Sequence, residues 1–241
     1  MKKMMKKMTA LMIMAAVIIT SAMPALADIS YSQTATFYIQ PHKTSAGNSN
    51  GTGSIYINGL TGSERLKKAT VKNLAPSVVK LDYINNYTYT QNKVYSDTNA
   101  YIYFSLMKPG TSTISFKIGS TTYKSKVKVL KYVNPLSSLT ITGINGGKTI
   151  HKNFNKDTQP DYKISKTIPN AKVTAKARKG WDIVDVSINR DSSSGTKTYR
   201  SYSGLSDCTL RNARITKGSY ARITARNKSN NAYVALIINF K

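Results

Sequence analysis

The chain has 241 residues, 36 basic against 10 acidic side chains, a formal net charge of +26 and a single cysteine. One cysteine excludes an intramolecular disulfide, so any domain must be held by packing alone, and one glutamate with two histidines leaves little material for acid–base catalysis. The length suits one large or two ordinary domains, each with its own core.

Lys2, Lys3, Lys6 and Lys7 precede an apolar run from Ala10 to Ile19, and Ala25-Leu26-Ala27 offers a small-x-small cleavage site before Asp28. This pattern predicts a secretory signal peptide over 1–27. The apolar run is too short for a stable membrane span, and a secreted or cell-surface location is expected. Taking away those 27 residues and their four lysines leaves 214 residues with 32 basic and 10 acidic side chains, a net +22.

From Ile29 to Ile39 apolar and aromatic residues alternate with Ser and Thr, predicting a strand pair or one bent strand. Residues 41–53 read as a Gly/Ser/Asn loop, and Ile55 and Ile57 mark the next strand. Val71 and then Val79, Leu81 and Tyr83 mark two more, separated at Pro76; the polar, tyrosine-rich stretch 85–99 has no clear period and reads as a loop or irregular edge strand. The run from Asn99 to Leu130 is the most sharply patterned. Ile114, Phe116 and Ile118 alternate with polar residues, Gly119-Ser120 supplies a two-residue turn, and Tyr123, Val127 and Val129 alternate with Lys124, Lys126 and Lys128. With that turn Ile118 faces Thr121, Phe116 faces Tyr123 and Ile114 faces Ser125, and the lysines point to water.

The segments NLAPSVVKLDY and LMKPGTSTISFKIGSTTYKSKVKVL resemble the bacterial immunoglobulin-like domains of group 2, through Ser77 to Leu81, the Lys-x-Gly-Thr-x-x-Ile turn at Lys108 to Ile114, and the closing Val127 to Val129 strand. The tryptophan often found before the first of these strands is missing. The resemblance implies an immunoglobulin-like β-sandwich over 28–133 of the kind used as surface spacers and adhesin modules, and it brings no catalytic residues. Pro135, which cannot donate to a central ladder, marks a short break and a boundary at 133/134.

The second part, 134–241, opens with Leu139-Thr140-Ile141, then is poorly patterned from Ile150 to Ile168. Val173, Ala175 and Ala177 alternate with Lys172, Lys176 and Arg178; Trp181 begins an apolar strand to Ile188 whose phase shifts near Val184, predicting a bulge. Ala221, Ile223 and Ala225 alternate with Arg222 and Arg226, and Val234 to Phe240 closes the chain as a strand. No helix of ten residues is expected anywhere, so the fold class is all-β, two tandem immunoglobulin-like sandwiches, the second loosely resembling cadherin-like or immunoglobulin-like domains of secreted bacterial proteins.

Asp182 and Asp185 stand three apart, on opposite faces of a regular strand; only a bulge would bring them together as a carboxylate pair, the enzymatic alternative of a sugar-active sandwich. With Asp191 they are a small set for calcium in so basic a domain, and no cofactor or metal spacing is present. Cys208 reads as a small strand residue and Trp181 as core. Of the sixteen tyrosines, Tyr83, Tyr87, Tyr89, Tyr95, Tyr101 and Tyr103 crowd one region, and Tyr101 and Tyr103 face outward if Ile102 and Phe104 face in; outward tyrosine serves binding surfaces and also simply favours strands. The charge excess is shared, +9 over 28–133 from 13 basic and 4 acidic side chains and +13 over 134–241 from 19 and 6. Three rows, Lys124/Lys126/Lys128, Lys172/Lys176/Arg178 and Arg222/Arg226, project together from alternating strands. They predict a non-catalytic binding or structural module associating with anionic cell-surface polymers such as teichoic acid or an acidic glycan. Nucleic acid is a further alternative that charge supports and no recognition motif does.

Overall fold

The computed structural model describes residues 29–241 apart from 45, 46, 62, 63, 92–94, 193 and 194. The expected signal peptide lies outside the described residues. In chain order the first half runs β1 (Ser30–Tyr31), β2 (Thr34–Tyr38), β3 (His42–Thr44), β4 (Gly47–Ser49), β5 (Thr52–Thr61), β6 (Val71–Asn73), β7 (Val79–Gln91), β8 (Tyr95–Leu106), β9 (Gly110–Ile118) and β10 (Thr121–Leu130). Two four-stranded sheets result, in the orders β1-β5-β8-β7 and β2-β10-β9-β6, with β3 and β4 as a small hairpin of their own. The opening stretch therefore switches sheets: β1 pairs antiparallel with β5, while β2 runs parallel to β10. This is the immunoglobulin-like layout, its two inner faces interdigitating. Ile55, Ile57, Ile102, Phe104, Ile114, Phe116 and Val127 are all buried there.

The β9–β10 hairpin has the register its turn requires, with Phe116 opposite Tyr123, Ile114 opposite Ser125 and Ser115 opposite Lys124. Gly119 takes a left-handed φ of 58° in the turn, as a primed hairpin turn demands. Of the stretch 85–99, expected as a loop or an irregular edge strand, 85–91 form the far end of β7, the edge strand of its sheet, and 95–99 the start of β8, paired from Asn85/Tyr101 out to Gln91/Tyr95. A bulge between Leu81 and Ile84 breaks the period. Beyond it the inward positions are polar because the segment at 64–67 covers them. Asn86 exchanges both amide bonds with the backbone of Leu66 (2.8 and 3.0 Å), and Arg65 reaches Thr88 and Thr98. The expected loop 41–53 likewise holds the β3–β4 hairpin and the first residues of β5.

The second half runs β11 (Leu136–Ile141), β12 (Asp161–Tyr162), β13 (Ile168–Ala177), β14 (Trp181–Ser192), β15 (Gly195–Leu205), β16 (Asp207–Ile215), β17 (Tyr220–Asn227) and β18 (Tyr233–Phe240), with short 3-10 turns at Asn145–Gly147 and His151–Asn155. Its sheets are β11-β13-β16 and β12-β18-β17-β14-β15. Here too a short early strand, β12, pairs parallel with the last one. Strands β15 and β16 are absent from the periodicity because their inward positions include Tyr199 and Ser201 on one and register shifts on the other. Leu139, Ile141, Val173, Ile183, Val186, Ile223, Leu236 and Phe240 fill this core with Trp181.

Tyr38, at the end of β2, packs into this second core, its ring 5.1 Å from that of Trp181. Around it the Ala235 N–H donates to Gln40, the Thr158 N–H to the Pro41 carbonyl (2.7 Å), and the Tyr132 hydroxyl to the Phe154 carbonyl. The buried Asn134 ties the connecting segment to His151 and Asn155. Backbone and ring contacts hold this connection, so it does not behave as a free tether.

Candidate functional site

On β10 the inward positions are taken by Val127 and Val129, so period-two geometry forces Lys124, Lys126 and Lys128 onto the outer face of the β2-β10-β9-β6 sheet, and all three are exposed. Two residues outside the expected row complete this face. Lys72 on β6 and Lys124 on β10 flank Ser115 from opposite sides, and Lys117 lies beyond on β9. The other outer positions include Thr34, Thr36, Thr111, Thr113, Ser115 and Thr122, with Leu130 and Tyr38 at one end. Lysines along β10 recur about every 6.8 Å and neighbouring strands lie about 4.8 Å apart. That spacing is within a Debye length of about 8 Å, so their fields add. None of the five has an ion-pair partner among the described residues.

The second row is less uniform. Lys172 and Lys176 project from β13, where Lys172 borders a shallow groove with Thr140, Thr142, Thr174, Gly146 and Gly147, and Lys176 stands opposite Asp207. Arg178, one residue past the strand, is exposed but donates from Nε to the Leu136 carbonyl at 3.0 Å.

In the third row the bulge at Val184 decides the outcome. Pairing moves from Ile183/Ala225 to Asp185/Thr224, so Asp182 and Asp185 come to the same outer face although three residues apart. They do not stand in a cleft as a free carboxylate pair. Asp182 takes Arg226 (3.4 Å) and Lys228 (3.2 Å), and Asp185 takes Arg200 (3.6 Å), each aspartate more than nine-tenths buried beneath these cations. Arg226 is thus half-buried and engaged, whereas Arg222 is exposed and faces Arg200 across Ser187. The side chain of Asp191 lies outside the described residues.

His42 pairs with Asp157 at 3.1 Å and His151 with the Thr149 hydroxyl at 2.9 Å, in separate places. Burial raises the Cys208 thiol above its ordinary pKa, the opposite of what a nucleophile needs. Among the described residues no group of three His, Cys, Asp or Glu could hold a metal ion.

The outer face of the β1-β5-β8-β7 sheet is mainly aromatic, with the exposed Lys80 opposite Ser105. Tyr83, Tyr103, Tyr101 and Tyr87 form a continuous stack with centroid separations of 4.6, 5.6 and 5.8 Å, and Tyr56 leans on Tyr101 at 4.9 Å. Tyr101 and Tyr103 face outward because Ile102 and Phe104 are buried inward. A hydrogen bond with Tyr87 raises the Tyr101 phenol above its usual value. The side chains of Tyr89 and Tyr95 lie outside the described residues. Tyr56 comes from a strand distant in sequence; its alternation with the buried Ile55 and Ile57 is the signal that it faces outward.

No protein-family model matches the sequence, and no curated protein matches it. Among solved structures the chain is similar to domains 4–9 of the surface layer protein SbsC, at 11% identity and a TM-score of 0.33 over 91% of this chain and 32% of that one. It is similar to domains 5–6 of the same S-layer protein (11%, TM-score 0.32, 91% and 100% covered) and to the tandem Ig repeats of Dlar (11%, TM-score 0.29, 89% and 98% covered). The chain spans about a third of the first of these structures.

Proposed function

We propose that this chain is a secreted, non-catalytic β-sandwich module that is retained at the cell surface by anionic polymers, with the outer face of β2-β10-β9-β6 as its principal contact. One observation carries the reading: Lys72, Lys117, Lys124, Lys126 and Lys128 share that face with hydroxyl side chains and, among the described residues, no carboxylate. A lone edge lysine protects a sheet from pairing, but a five-lysine field across three strands has no such need. A flexible chain of phosphates or carboxylates complements it with little regard to sugar identity. Lys172, Lys176 and Arg222 extend the positive surface, and Arg178 adds charge at its margin. Arg226 contributes least, because Asp182 already holds it. The pattern at 1–27 supports export.

The residues resembling group 2 bacterial immunoglobulin-like domains sit where a packed hairpin needs them, which supports that assignment for 28–133. Gly110, at the Lys-x-Gly-Thr turn, has a φ of 152°, and a Cβ there would come within 2.9 Å of Val78.

The test is retention of the full secreted chain on immobilised poly(glycerol phosphate), with dextran as the neutral control. Binding should fall steeply from low salt to about 1 M, where screening acts within about 3 Å. Reversal at Lys124→Glu, Lys126→Glu and Lys128→Glu should abolish most of it with an unchanged thermal melt. Equal retention at both salt concentrations would refute the electrostatic reading.

A further inference from the structure

The free edges of the two sandwiches are not guarded alike. An edge strand offers a row of unpaired N–H and C=O groups to any other strand, and native folds blunt it by shortness, lysine, a bulge or a cover. Strands β1, β2, β3, β4, β6 and β12 are only two to five residues long. On β11 the Leu139 N–H donates to Thr149 Oγ1 (3.0 Å) and the Leu139 carbonyl accepts from the Ile150 N–H (2.8 Å), so that edge is covered. Strand β15 carries the exposed Lys197 and Arg200, and β16 the exposed Arg211 and Arg214 together with register shifts.

Strand β7 is guarded along its first part only. There Lys80 is exposed, the bulge follows Leu81, and Lys68 donates to the Asp82 carbonyl at 3.1 Å. Residues 84–91 contain no charge, no proline and no glycine, and are rich in Tyr and Thr. This is the composition of a strand that pairs readily. Among the described residues their backbone bonds run to β8 alone, which leaves the other side of the strand open. Arg65 reaches this stretch only from the inner side, where it is held by the hydroxyls of Thr88 and Thr98.

A neutral strip gives an anionic partner nothing to recognise. In a chain with so large a positive excess it is instead the one long edge at which two copies can approach without setting cation against cation. An antiparallel edge is also its own complement. A two-fold axis perpendicular to the sheet brings the same N–H and C=O row against itself and pairs outward positions with outward positions. Tyr87, which stacks on Tyr101 of β8 and is still 40% exposed, stands in the middle of the strip.

We propose that residues 84–91 of β7 are a dimer interface, at which two copies of this chain pair antiparallel about a two-fold axis near Tyr87 and Thr88 and join their four-stranded β1-β5-β8-β7 sheets into one. One such edge per chain closes the assembly at two copies and builds no filament. Because the axis is perpendicular to the joined sheet, the lysine faces of both copies look the same way, so a single polymer can engage both. That consequence rests on the polyanion reading; the pairing does not.

The experiment is sedimentation of the full secreted chain, without polymer, from about 1 μM to about 1 mM, since a contact of this size lies at the weak end of specific interfaces. A monomer–dimer equilibrium is expected. It strengthens between about 0.15 M and about 1 M salt, because screening removes repulsion between two basic copies, whereas retention on a polyanion weakens over the same range. Asn85→Lys with Tyr87→Lys weakens association at least about tenfold, and so does Asn85→Glu with Tyr87→Glu; mixing the two variants restores a dimer, which a folding defect would not do. Hydrogen exchange on the unaltered chain reads the same contact without substitution: amides in 84–91 gain protection as concentration rises. A monomer at every concentration and salt overturns the proposal. So does a dimer that ignores both double variants, or one whose added protection falls on other strands. None of these results bears on polymer retention by the lysine face, which is measured separately.

Discussion

Replacing Phe116 by alanine tests the packing of the first sandwich most directly. The side chain is fully buried, opposite Tyr123 on β10 and Val71 on β6. Its ring meets Tyr31 edge-on at 5.3 Å and stacks on Tyr123 at 5.6 Å. A buried phenylalanine removes about 150–250 Å² from water, worth about 4–6 kcal/mol at about 25 cal/mol per Å². Alanine keeps part of that burial while the cavity it leaves adds cost, giving a net loss of about 3–5 kcal/mol. At about 4 °C per kcal/mol the melting temperature should fall by roughly 10–20 °C. Calorimetry measures the shift, and fluorescence of the sole tryptophan locates it: Trp181 sits in the second core, yet touches Tyr38 at the end of β2, so it reports when that strand leaves. Lys117→Ala, one residue along and on the outer face, should change stability by no more than about 0.5 kcal/mol. An unshifted melt for Phe116→Ala, or an equal loss for Lys117→Ala, would refute the face assignment.

Gly53→Ala should destabilise by about 1–3 kcal/mol in urea unfolding, because a Cβ there would lie 2.6 Å from Phe104 and 2.8 Å from Phe37, the edge-to-face pair that fills the space. Burial, followed by the charges of Arg178 and Lys152, lowers the His151 pKa in the folded state. Between that lowered value and the unfolded value of about 6.5 the unfolded chain binds more protons, so stability is full above about pH 6.5 and declines as pH falls towards the folded pKa. Urea unfolding from pH 7.5 down to pH 5 should show this component, reduced in His151→Gln. Charge reversal distinguishes the two arginines of β17: Arg222→Glu should leave the melt nearly unchanged, while Arg226→Glu sets a carboxylate against the buried Asp182 and should cost roughly 1–3 kcal/mol by the same measurement.

The β9–β10 hairpin was legible residue by residue, because period-two alternation assigns faces and a two-residue turn sets register with no distant information. The exposure of Lys124, Lys126 and Lys128 follows from the same local rule, as does the outward placement of Tyr101 and Tyr103. Where alternation is lost, the cause is tertiary. The inward positions Asn86 and Thr88 are polar because a segment some twenty residues away in the chain bonds to them, and no local pattern announces such a cover. The bulge at Val184 shows in the sequence as a phase shift, but which cations meet Asp182 and Asp185 depends on the pairing of β14 with β15 and β17. Lys72 joins the lysine face only through the partner of a three-residue strand, and Tyr56 joins the tyrosine stack only through the pairing of β5 with β8. The entry of Tyr38 into the second core lies furthest from sequence reasoning. Alternation tells which way a side chain points, whereas the neighbour it meets is chosen by burial of both sheets at once, and that depends on the whole chain.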